Sequence, residues 1–352
     1  MHRCLQLAEA GAGQVAPNPM VGAVLVYNNN IIGEGYHRQY GMSHAEVNCI
    51  ASVQKTDLHL VDKSVMYVSL EPCAHYGKTP PCADLIIEHR IPKVVIGCRD
   101  PFPEVNGKGI EKLLAAGVAV TTGVLEKECR QFNKRFFTFH TLRRPYIILK
   151  WAQSSDGAIA GPGGSAVQIS NAYSSRLVHR WRSEEAAILV GTRTALLDDP
   201  ALTTRLWPGK NAVRLVVDRQ LKLPASLRLF DGTAPTVIFN ELSNTVSMDG
   251  NNVFTDKRNL FCQITRGENT IHQIIKSIHH LNIQSVLVEG GAKLLQSFIN
   301  ENAWDEARII TNETLRIPGG IKAPELVPAQ TIKEYHFFSD RIEHYIGPLS
   351  LV

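Results

Sequence analysis

Four residues in the first quarter of the chain have the types and spacing of a hydrolytic zinc site. His44 opens the tripeptide HAE, Cys73 follows an apolar strand and one proline, and Cys82 lies beyond the loop AHYGKTPP. One imidazole and two thiolates suit zinc, and three protein ligands leave one tetrahedral position open, as catalytic zinc sites do. Glu46 lies two residues past the histidine, where it can carry a proton without binding the metal. The pattern predicts zinc-assisted hydrolysis.

The spacing of these residues narrows the reaction to deamination. Zinc enzymes that deaminate nucleobases share H-x-E followed by P-C-x-x-C, and here eight residues separate the two cysteines. A structural zinc site with His75 as fourth ligand, or two unrelated buried cysteines, are the alternatives, but both leave Glu46 without a role. We also expect two helix N-termini to supply the sulfur ligands, because the helix dipole stabilises thiolates there.

The elements around these motifs alternate between strands and helices and predict an α/β domain with a central sheet. The expected strands of this first domain are 21–27, 31–36, 65–70, 93–97 and 118–121. Its expected helices are 44–54, 83–89, 109–116 and 125–139. The opening segment MHRCLQLAEAG shows neither a helix cap nor the pattern of a signal peptide.

The segment HTLRRP, which ends at Pro145, interrupts the alternation and predicts a boundary between domains 1–142 and 143–352. Strands are expected over 146–151, 187–190, 214–218, 236–240, 285–289 and 308–311, and helices over 172–182, 270–281 and 292–300. No G-x-G-x-x-G follows a strand, so the second domain is not an ordinary dinucleotide-binding half. VEGGAKL instead predicts a glycine-lined helix N-terminus that can hold a phosphate, or a simple strand-to-helix turn.

Composition places the chain among globular proteins. It has 352 residues, 44% hydrophobic and 20% charged, with a net charge of +4. No apolar run approaches the 18 to 20 residues, roughly, that span a bilayer, and no basic tract indicates nucleic acid. Seven scattered cysteines favour a reducing cytoplasm over a disulfide framework. We therefore expect a cytoplasmic enzyme with neither membrane nor nucleic acid as a partner.

Several motifs in order closely resemble the bifunctional deaminase-reductase family of riboflavin biosynthesis. They are PNPMVG, HAE, EPCAHYGKTPPC, DPFPEVNGKG, LKWAQSSDG, LLDDPALTTR and VEGGAKL, and they extend over nearly the whole chain. The resemblance implies a cytidine-deaminase-like three-layer domain followed by a dihydrofolate-reductase-like domain. It implies zinc and NADPH as cofactors, a phosphorylated pyrimidine as substrate, and a homo-oligomer formed through the reductase domain.

The resemblance also assigns residues to the deaminase substrate: Asn18, His37, His75, Lys78 and Asp100. Asn18 is expected to hydrogen-bond the pyrimidine, the alternative being a cap on the turn between two prolines. Lys78 suits the phosphate as a point charge. The alternatives are solvated surface for the two histidines and the lysine, and a cap for Asp100.

For the reductase, the resemblance places Glu289 beside the substrate together with Ala166, Arg182, Leu202 and Arg205, the arginines gripping the phosphate. Arg182 otherwise reads as one charge on a solvated helix face. Cofactor contacts are expected from Ala152, Gln168, Thr194, Asp198, Arg219, Gly291, Ala292, Lys293, Leu294, Leu295, Gln296 and Ser297. Asp198 has a turn residue as its alternative, and Lys150 is expected to give electrostatic support or to be an ordinary strand-end lysine.

Five positions depart from the family pattern: Tyr76, Phe102, Ala166, Gln168 and Arg219. The zinc motifs are intact, so the departures bear mainly on cofactor binding, where Arg219 could contact the extra phosphate of NADPH. Two other functions stay open on sequence alone. One is a nucleic-acid or nucleoside deaminase with a non-catalytic second domain, and the other is a binding protein whose second domain senses a nucleotide or drives assembly.

Overall fold

The computed structural model describes residues 1–76, 80–246, 259–326 and 330–350. The chain divides into two compact units, Met1–Arg143 and Arg144–Val352. The boundary expected from the sequence lies one residue before this division. In the described part of the chain, every helix is too short or too polar to cross a bilayer.

The first unit is built around a five-stranded sheet. Its strands are β1 (Gly22–Tyr27), β2 (Asn30–Tyr36), β3 (Val65–Leu70), β4 (Lys93–Cys98) and β5 (Ala119–Thr121), in the order β2-β1-β3-β4-β5. Its helices are α1 (His2–Glu9), α2 (Ala45–Ala51), α3 (Cys82–Glu88), α4 (Lys108–Ala115), α5 (Glu126–Phe132) and α6 (Lys134–Leu142). β3, β4 and β5 are parallel, so the residues that follow β3 and β4 meet at one edge of the sheet.

Apolar side chains cover both faces of this sheet and make three layers. On one face, residues such as Leu25, Met66 and Ile96 pack with Ile50 and Ile86 from α2 and α3. On the other face, a Cβ on Gly97 of β4 would meet the Cys129 sulfur of α5. A second cluster joins the ends of β3 and β4 to α5 and α6: Leu70, Cys98, Cys129, Phe136 and Phe137. Two buried faces require helices on both sides of a sheet, which is the observed arrangement.

The helices of the first unit differ from expectation in two places. The expected helix over 125–139 is two helices, because Asn133 adopts φ −102° and ψ 27° between them. The Asn133 side chain exchanges two hydrogen bonds with the Met20 backbone, which hold it at the break. Helix α1 was not expected, since its N-cap Met1 makes no side-chain cap. It forms because Cys4 and Ala8 are buried on one face.

The second unit contains a nine-stranded sheet in the order β11-β10-β9-β8-β12-β6-β13-β16-β15. Its strands are β6 (Tyr146–Ser154), β7 (Ala158–Ala160), β8 (Ala187–Gly191), β9 (Val213–Val217), β10 (Thr236–Asn240), β11 (Asn259–Gln263), β12 (Ser285–Gly290), β13 (Glu306–Asn312), β14 (Ile321–Lys322), β15 (Thr331–Phe337) and β16 (Asp340–Ile346). Its helices are α7 (Ala172–Glu184), α8 (Thr192–Asp198), α9 (Thr270–His280) and α10 (Ala292–Asn300). β7 and β14 form a separate small ribbon.

Alternate residues of the central strands enter two different cores. Ile147 and Leu149 of β6 pack with apolar residues of α9 and α10, such as Ile274 and Phe298. Ile148 lies on the opposite face, in a cluster that includes residues of α7 and α8. Seven strands are parallel to one another: β11, β10, β9, β8, β12, β6 and β13. Their carboxyl ends lie along one edge of the sheet, where ligands of open α/β sheets usually bind.

Among the described residues of the second unit, six regular elements were not expected: β7, β11, β14, α8 and the two strands of the antiparallel hairpin, β15 and β16. The hairpin strands carry charged and aromatic residues without a clean apolar alternation, so tertiary pairing rather than local pattern forms them. α8 has one buried side chain, Ala195, and is too short for a helical period to show.

Candidate functional site

The three expected zinc ligands meet in the first unit. His44 is the N-cap of α2, Cys73 lies in the loop after β3, and Cys82 is the first residue of α3. The His44 Nδ1 lies 3.4 Å from the Cys82 Sγ and 3.6 Å from the Cys73 Sγ, and all three atoms lie within 4.8 Å of one another. Such separations fit ligands around one tetrahedral ion with bonds of about 2.0 to 2.3 Å.

The Cys73 sulfur is stabilised as a thiolate. Its contact with the Cys82 thiol, and then with the His44 ring, lowers the pKa of Cys73 below its usual range. The Cys82 backbone N–H also donates to this sulfur at 3.3 Å. The expectation that two helix N-termini supply the sulfur ligands is therefore wrong in one respect. The helix starts carry His44 and Cys82, whereas Cys73 lies in a loop and its sulfur accepts an N–H of the facing helix.

Glu46 lies in the first turn of α2, only 3% exposed. Burial raises the pKa of its carboxyl to about 7, the Cys73 thiolate adds to the rise and the His44 ring opposes it. A carboxyl that titrates near neutral pH can both take up and release a proton under physiological conditions. The residue next to the ligands is therefore suited to moving protons.

Two of the expected substrate residues lie together beside His44. The Asn18 Nδ2 is 3.2 Å from the His37 Nε2, and the His37 Nδ1 is 3.1 Å from the Ser43 carbonyl. The rings of His37 and His44 pack edge to face with centroids 5.4 Å apart. Burial lowers the pKa of His37, so the ring is neutral at physiological pH. The structure thus brings Asn18 and His37 to the ligand histidine.

His75 and Asp100 are brought to the same loop region. The ring of Phe102 lies 6.1 Å from that of His75, and the Asp100 carboxylate accepts the Phe102 N–H at 2.7 Å. Burial raises the pKa of Asp100 to about 7, against the effect of that N–H. Tyr76 is 79% exposed, and Lys78 lies outside the described residues.

In the second unit, a buried ion pair joins two of the expected substrate residues. The Arg182 guanidinium donates two hydrogen bonds to Glu289, of 2.7 and 2.6 Å, with side chains only 13% and 7% exposed. Leu149 of β6 pairs with Val288 of β12, so Lys150 and Glu289 are neighbours near the carboxyl ends of parallel strands. Burial alone would raise the pKa of Glu289, but Arg182 outweighs it and holds that pKa at about 2.

This pair changes the expected roles of the two arginines. The Nε and Nη2 groups of Arg182 are committed to Glu289, and its Nη1 lies 3.4 Å from the Thr203 carbonyl. The Arg182 side chain is not on a solvated helix face, and its fork is directed at a carboxylate. The Arg205 side chain is exposed, with its Nη1 3.3 Å from the Thr203 hydroxyl, and is better placed to meet a phosphate.

The expected glycine-lined helix start lies where β12 leads into α10. The Gly291 N–H donates to the Thr194 hydroxyl at 2.8 Å, which joins the start of α10 to α8. A Cβ on Gly290 would lie 3.1 Å from the Thr194 side chain, and one on Gly291 would lie 3.0 Å from it. The two glycines therefore allow Thr194 of α8 to pack directly against the turn that begins α10.

The expected cofactor residues that lie on α10 differ in whether their side chains are buried. Leu295 is 0% exposed and packs in the core below α10, so its side chain cannot touch a ligand. The Ser297 hydroxyl donates to the Lys293 carbonyl within the helix. Ala292, Leu294 and Gln296 complete the helix segment, and Gln296 donates to Asn300.

Three further residues of the predicted pocket make contacts within the second unit. Leu202 is 2% exposed and joins the core, so only its backbone can meet a substrate. Arg219 pairs with Glu241. Gln168 is exposed and donates to the Ser170 carbonyl. Ala152, Ala166 and Asp198 are placed respectively on β6, in the exposed loop before α7, and at the end of α8.

Three residues near these sites were not identified from the sequence. Glu71 accepts four backbone N–H groups in the first unit. Asn133 exchanges two hydrogen bonds of 2.8 and 2.9 Å with the Met20 backbone and so fixes the turn that holds Asn18. His179 accepts the Arg205 N–H at 3.0 Å. An asparagine inside a helical pattern was a usable signal, whereas the other two roles depend on residues distant in sequence.

Comparison with known proteins agrees with both units. The family described as cytidine and deoxycytidylate deaminase zinc-binding region matches residues 1–98, and the RibD C-terminal domain matches residues 145–346. These matches confirm the two expected fold classes. The zinc prediction is confirmed by the first family and by the cluster of His44, Cys73 and Cys82, and the NADPH prediction agrees with the reductase family of the second unit.

Curated relatives and solved structures cover nearly the whole chain. The riboflavin biosynthesis protein RibD of Aquifex aeolicus is 39% identical over 87% of this chain and 83% of its own. That of Escherichia coli is 32% identical over 87% and 84%. The crystal structure of a diaminohydroxyphosphoribosylaminopyrimidine deaminase/5-amino-6-(5-phosphoribosylamino)uracil reductase from Thermotoga maritima is 35% identical, has a TM-score of 0.85, and covers 99% of this chain and 97% of its own. The chain therefore belongs to the RibD family of bifunctional deaminase-reductases of riboflavin biosynthesis.

Proposed function

We propose that the first unit hydrolyses the ring amine of a diaminopyrimidinone carrying a phosphoribosylamino group. In the same proposal, the second unit uses NADPH to reduce the ribosyl group of the deaminated product to a ribityl chain. The observation that carries the proposal is the convergence of His44, Cys73 and Cys82 with the buried Glu46 beside them. The similar Thermotoga maritima protein, a diaminohydroxyphosphoribosylaminopyrimidine deaminase and reductase, supports this substrate class.

In the deaminase, Glu46 moves the protons. His44, Cys73 and Cys82 would hold zinc, which as a Lewis acid would lower the pKa of water toward neutral. The Glu46 carboxylate takes one proton from the attacking water and passes it to the amino group, which leaves as ammonia. A pKa of about 7 lets the same carboxyl serve as base and then as acid.

The remaining deaminase residues hold the pyrimidine. The Asn18 amide, fixed by the neutral His37, offers both a donor and an acceptor to the ring. Asp100 and His75 meet the substrate from the loop on the other side, and Lys78 neutralises its phosphate.

In the reductase, charged side chains hold the sugar phosphate and the glycine-lined helix holds the cofactor. NADPH bound at the start of α10 supplies the hydride. Glu289 stays ionised through Arg182 and orients the ribosyl hydroxyl groups, while Arg205 and Lys150 provide positive charge for the phosphate. Thr194 fixes the turn at Gly291, beside the helix start that would hold the cofactor pyrophosphate.

The proposal extends to the setting of the enzyme. The seven cysteines are free thiols, in keeping with a reducing cytoplasm. Association into a homo-oligomer through the second unit follows from the family resemblance, with the small phosphorylated pyrimidine as partner and no nucleic acid.

The Glu46→Gln variant tests the proposal. Because the ligands survive and the proton carrier does not, we expect about one zinc per chain and a loss of deamination of roughly 10² to 10⁴-fold. Ammonia release and NADPH absorbance are followed together, first with the diaminopyrimidinone phosphate and then with the deaminated product.

The second unit serves as an internal control in this experiment. NADPH oxidation with the deaminated product should be unchanged by Glu46→Gln. Ammonia release at the wild-type rate, or loss of zinc from the variant, would contradict the proposed role. Release of ammonia only from nucleosides or single-stranded nucleic acid would show that the wild-type substrate is misassigned.

A further inference from the structure

The loop after β3 contains a buried carboxylate whose hydrogen-bond partners come from a distant segment. Glu71 is 3% exposed and lies two residues before Cys73. Its Oε2 accepts the N–H groups of Asp100 and Gly107 at 3.2 and 3.0 Å. Its Oε1 accepts those of Gly109 and Ile110 at 3.0 and 3.3 Å. One side chain thus fixes the backbone of residues 100–110 at four points.

The contact requires a side chain with two acceptor oxygens, because all four of its partners are N–H donors. Two of the donating groups, Gly109 and Ile110, are in the first turn of α4, where unpaired N–H groups and the helix dipole attract negative charge. Hydrogen bonds from N–H groups to a carboxylate are roughly twice as strong as those between neutral groups. The contact is therefore specific for a carboxylate and would be weakened by an amide.

The glycines of the segment show that the two loops are in close contact. A Cβ added to Gly109 would lie 1.9 Å from the Pro72 carbonyl oxygen. Gly107 has a φ of +92°, which side chains rarely adopt. This close approach is a second observation, independent of the hydrogen bonds, that residues 100–110 are fitted against the residue next to Cys73.

The segment held in this way is the one that faces the loop between the two thiolates. Asp100 begins it, Phe102 lies against His75, and the Glu104 carboxylate is 3.8 Å from the His75 Nε2. Displacement of the segment would therefore shift substrate contacts while leaving the three metal ligands in place.

We propose that Glu71 is a positioning residue of the deaminase, which docks residues 100–110 so that Asp100 faces the pyrimidine. This inference rests on the proposed function of the first unit. Glu71 itself touches neither substrate nor metal in this scheme. Its action passes through Asp100, and this is what distinguishes it from a residue that only stabilises the fold.

The Glu71→Gln variant is the main test. The amide keeps one acceptor oxygen but turns an NH₂ group toward two N–H donors, so part of the docking is lost. We expect the KM for the diaminopyrimidinone phosphate to rise about tenfold or more, because small displacements of positioning groups are costly. Zinc content should stay at about one per chain, and kcat should change less than KM.

A double-mutant cycle with Asp100→Asn separates positioning from general stability. If Glu71 acts through Asp100, adding Glu71→Gln to Asp100→Asn should raise the KM little beyond the larger single effect. Multiplication of the two single effects would overturn the proposal. So would an unchanged KM in Glu71→Gln, or a loss of zinc that accounts for the loss of activity.

Further variants keep the test decisive. Gly109→Ala should reproduce the KM effect without touching the carboxylate, whereas Glu34→Gln, which removes the exposed pair with Arg3, should have no effect. Hydrogen exchange over residues 100–110 should rise in Glu71→Gln at a temperature where the protein stays folded. If the wild-type protein releases no ammonia, the proposed function fails. The exchange measurement still decides whether Glu71 docks the segment, and unchanged exchange would overturn that role.

Discussion

Two buried glutamates, one in each unit, have opposite acidities. Glu46 is close to the Cys73 thiolate, and burial raises its pKa to about 7. The Glu289 side chain is also largely enclosed, at 7% exposed, but the Arg182 guanidinium holds its pKa at about 2. The same side chain is therefore suited to carrying a proton in one unit and to holding a fixed negative charge in the other. The neighbouring charge, rather than burial, decides which chemistry a buried carboxyl performs.

The largest effect is expected from a variant that removes the thiolate beside Glu46. In Cys73→Ser, the hydroxyl is a poor replacement for a thiolate, so zinc affinity should fall by more than about 100-fold and deamination should be lost. The reductase reaction should continue at the wild-type rate. Zinc analysis and ammonia release measure the outcome.

The control for this variant is Cys4→Ser, because Cys4 donates to the Tyr67 carbonyl and a hydroxyl can do the same. It should keep both zinc and activity. Full deamination by Cys73→Ser would mean that this sulfur is not a ligand.

The next largest effect is expected from a variant that removes the positive charge beside Glu289. Arg182→Met keeps the length of the side chain but leaves Glu289 ionised without its bidentate partner, which should destabilise the second unit by about 3 kcal/mol. The matched change Arg180→Met, on the same helix, removes an exposed pair with Glu184 and should cost below about 1 kcal/mol. Denaturant unfolding compares the two, and equal stabilities would contradict the pairing.

The depressed pKa of Glu289 also predicts how acid acts on the second unit. Its pKa is lowered from 4.5 to about 2 in the folded protein. The stabilisation, about 3 kcal/mol by linkage, is therefore present above pH 4.5 and is lost as the pH falls from there toward 2. Unfolding free energies measured over this range should fall with acid in the wild type and less steeply in Glu289→Gln. Parallel curves for the two proteins would count against the ion pair.

The smallest effect is expected for Arg219, the residue that could contact the cofactor. Arg219 follows β9 with half its side chain exposed and pairs with Glu241. If it meets the extra phosphate of NADPH, Arg219→Ala should reduce the preference for NADPH over NADH by about tenfold, the effect of one charge-assisted contact. The ratio of kcat/KM for the two cofactors measures this. An unchanged preference leaves Arg219 as a partner of Glu241 only.

The first site was more predictable than the second because its groups lie close in sequence. His44, Glu46, Cys73 and Cys82 fall within two short motifs that begin helices or follow a strand, and the structure brings the three ligand atoms together. To predict the contacts of Arg182 from the sequence, the order of the strands in the sheet would also have to be known. The periodicity of α7 does not show that the Arg182 guanidinium is directed at β12 and not at solvent.

Most central strands followed from runs of apolar residues, and the expected bounds of 236–240 and 292–300 agree with β10 and α10. The errors fall where local pattern and tertiary contact disagree. The break at Asn133 follows from its two hydrogen bonds to Met20, a partner more than a hundred residues away. The β15–β16 hairpin depends on pairing with β13, which no local signal reveals.

The position of β6 in the sheet has a consequence for synthesis of the protein. This strand is the first of the second unit to be made, yet its two neighbours, β12 and β13, are among the last. At translation rates of about 5 to 20 residues per second, the nascent segment YIILKWAQS waits roughly ten to thirty seconds for both partners. An apolar strand with both edges open invites misassociation during that interval. The second unit should therefore depend on chaperones during translation, whereas β1 and β2 of the first unit can close their hairpin as soon as they emerge.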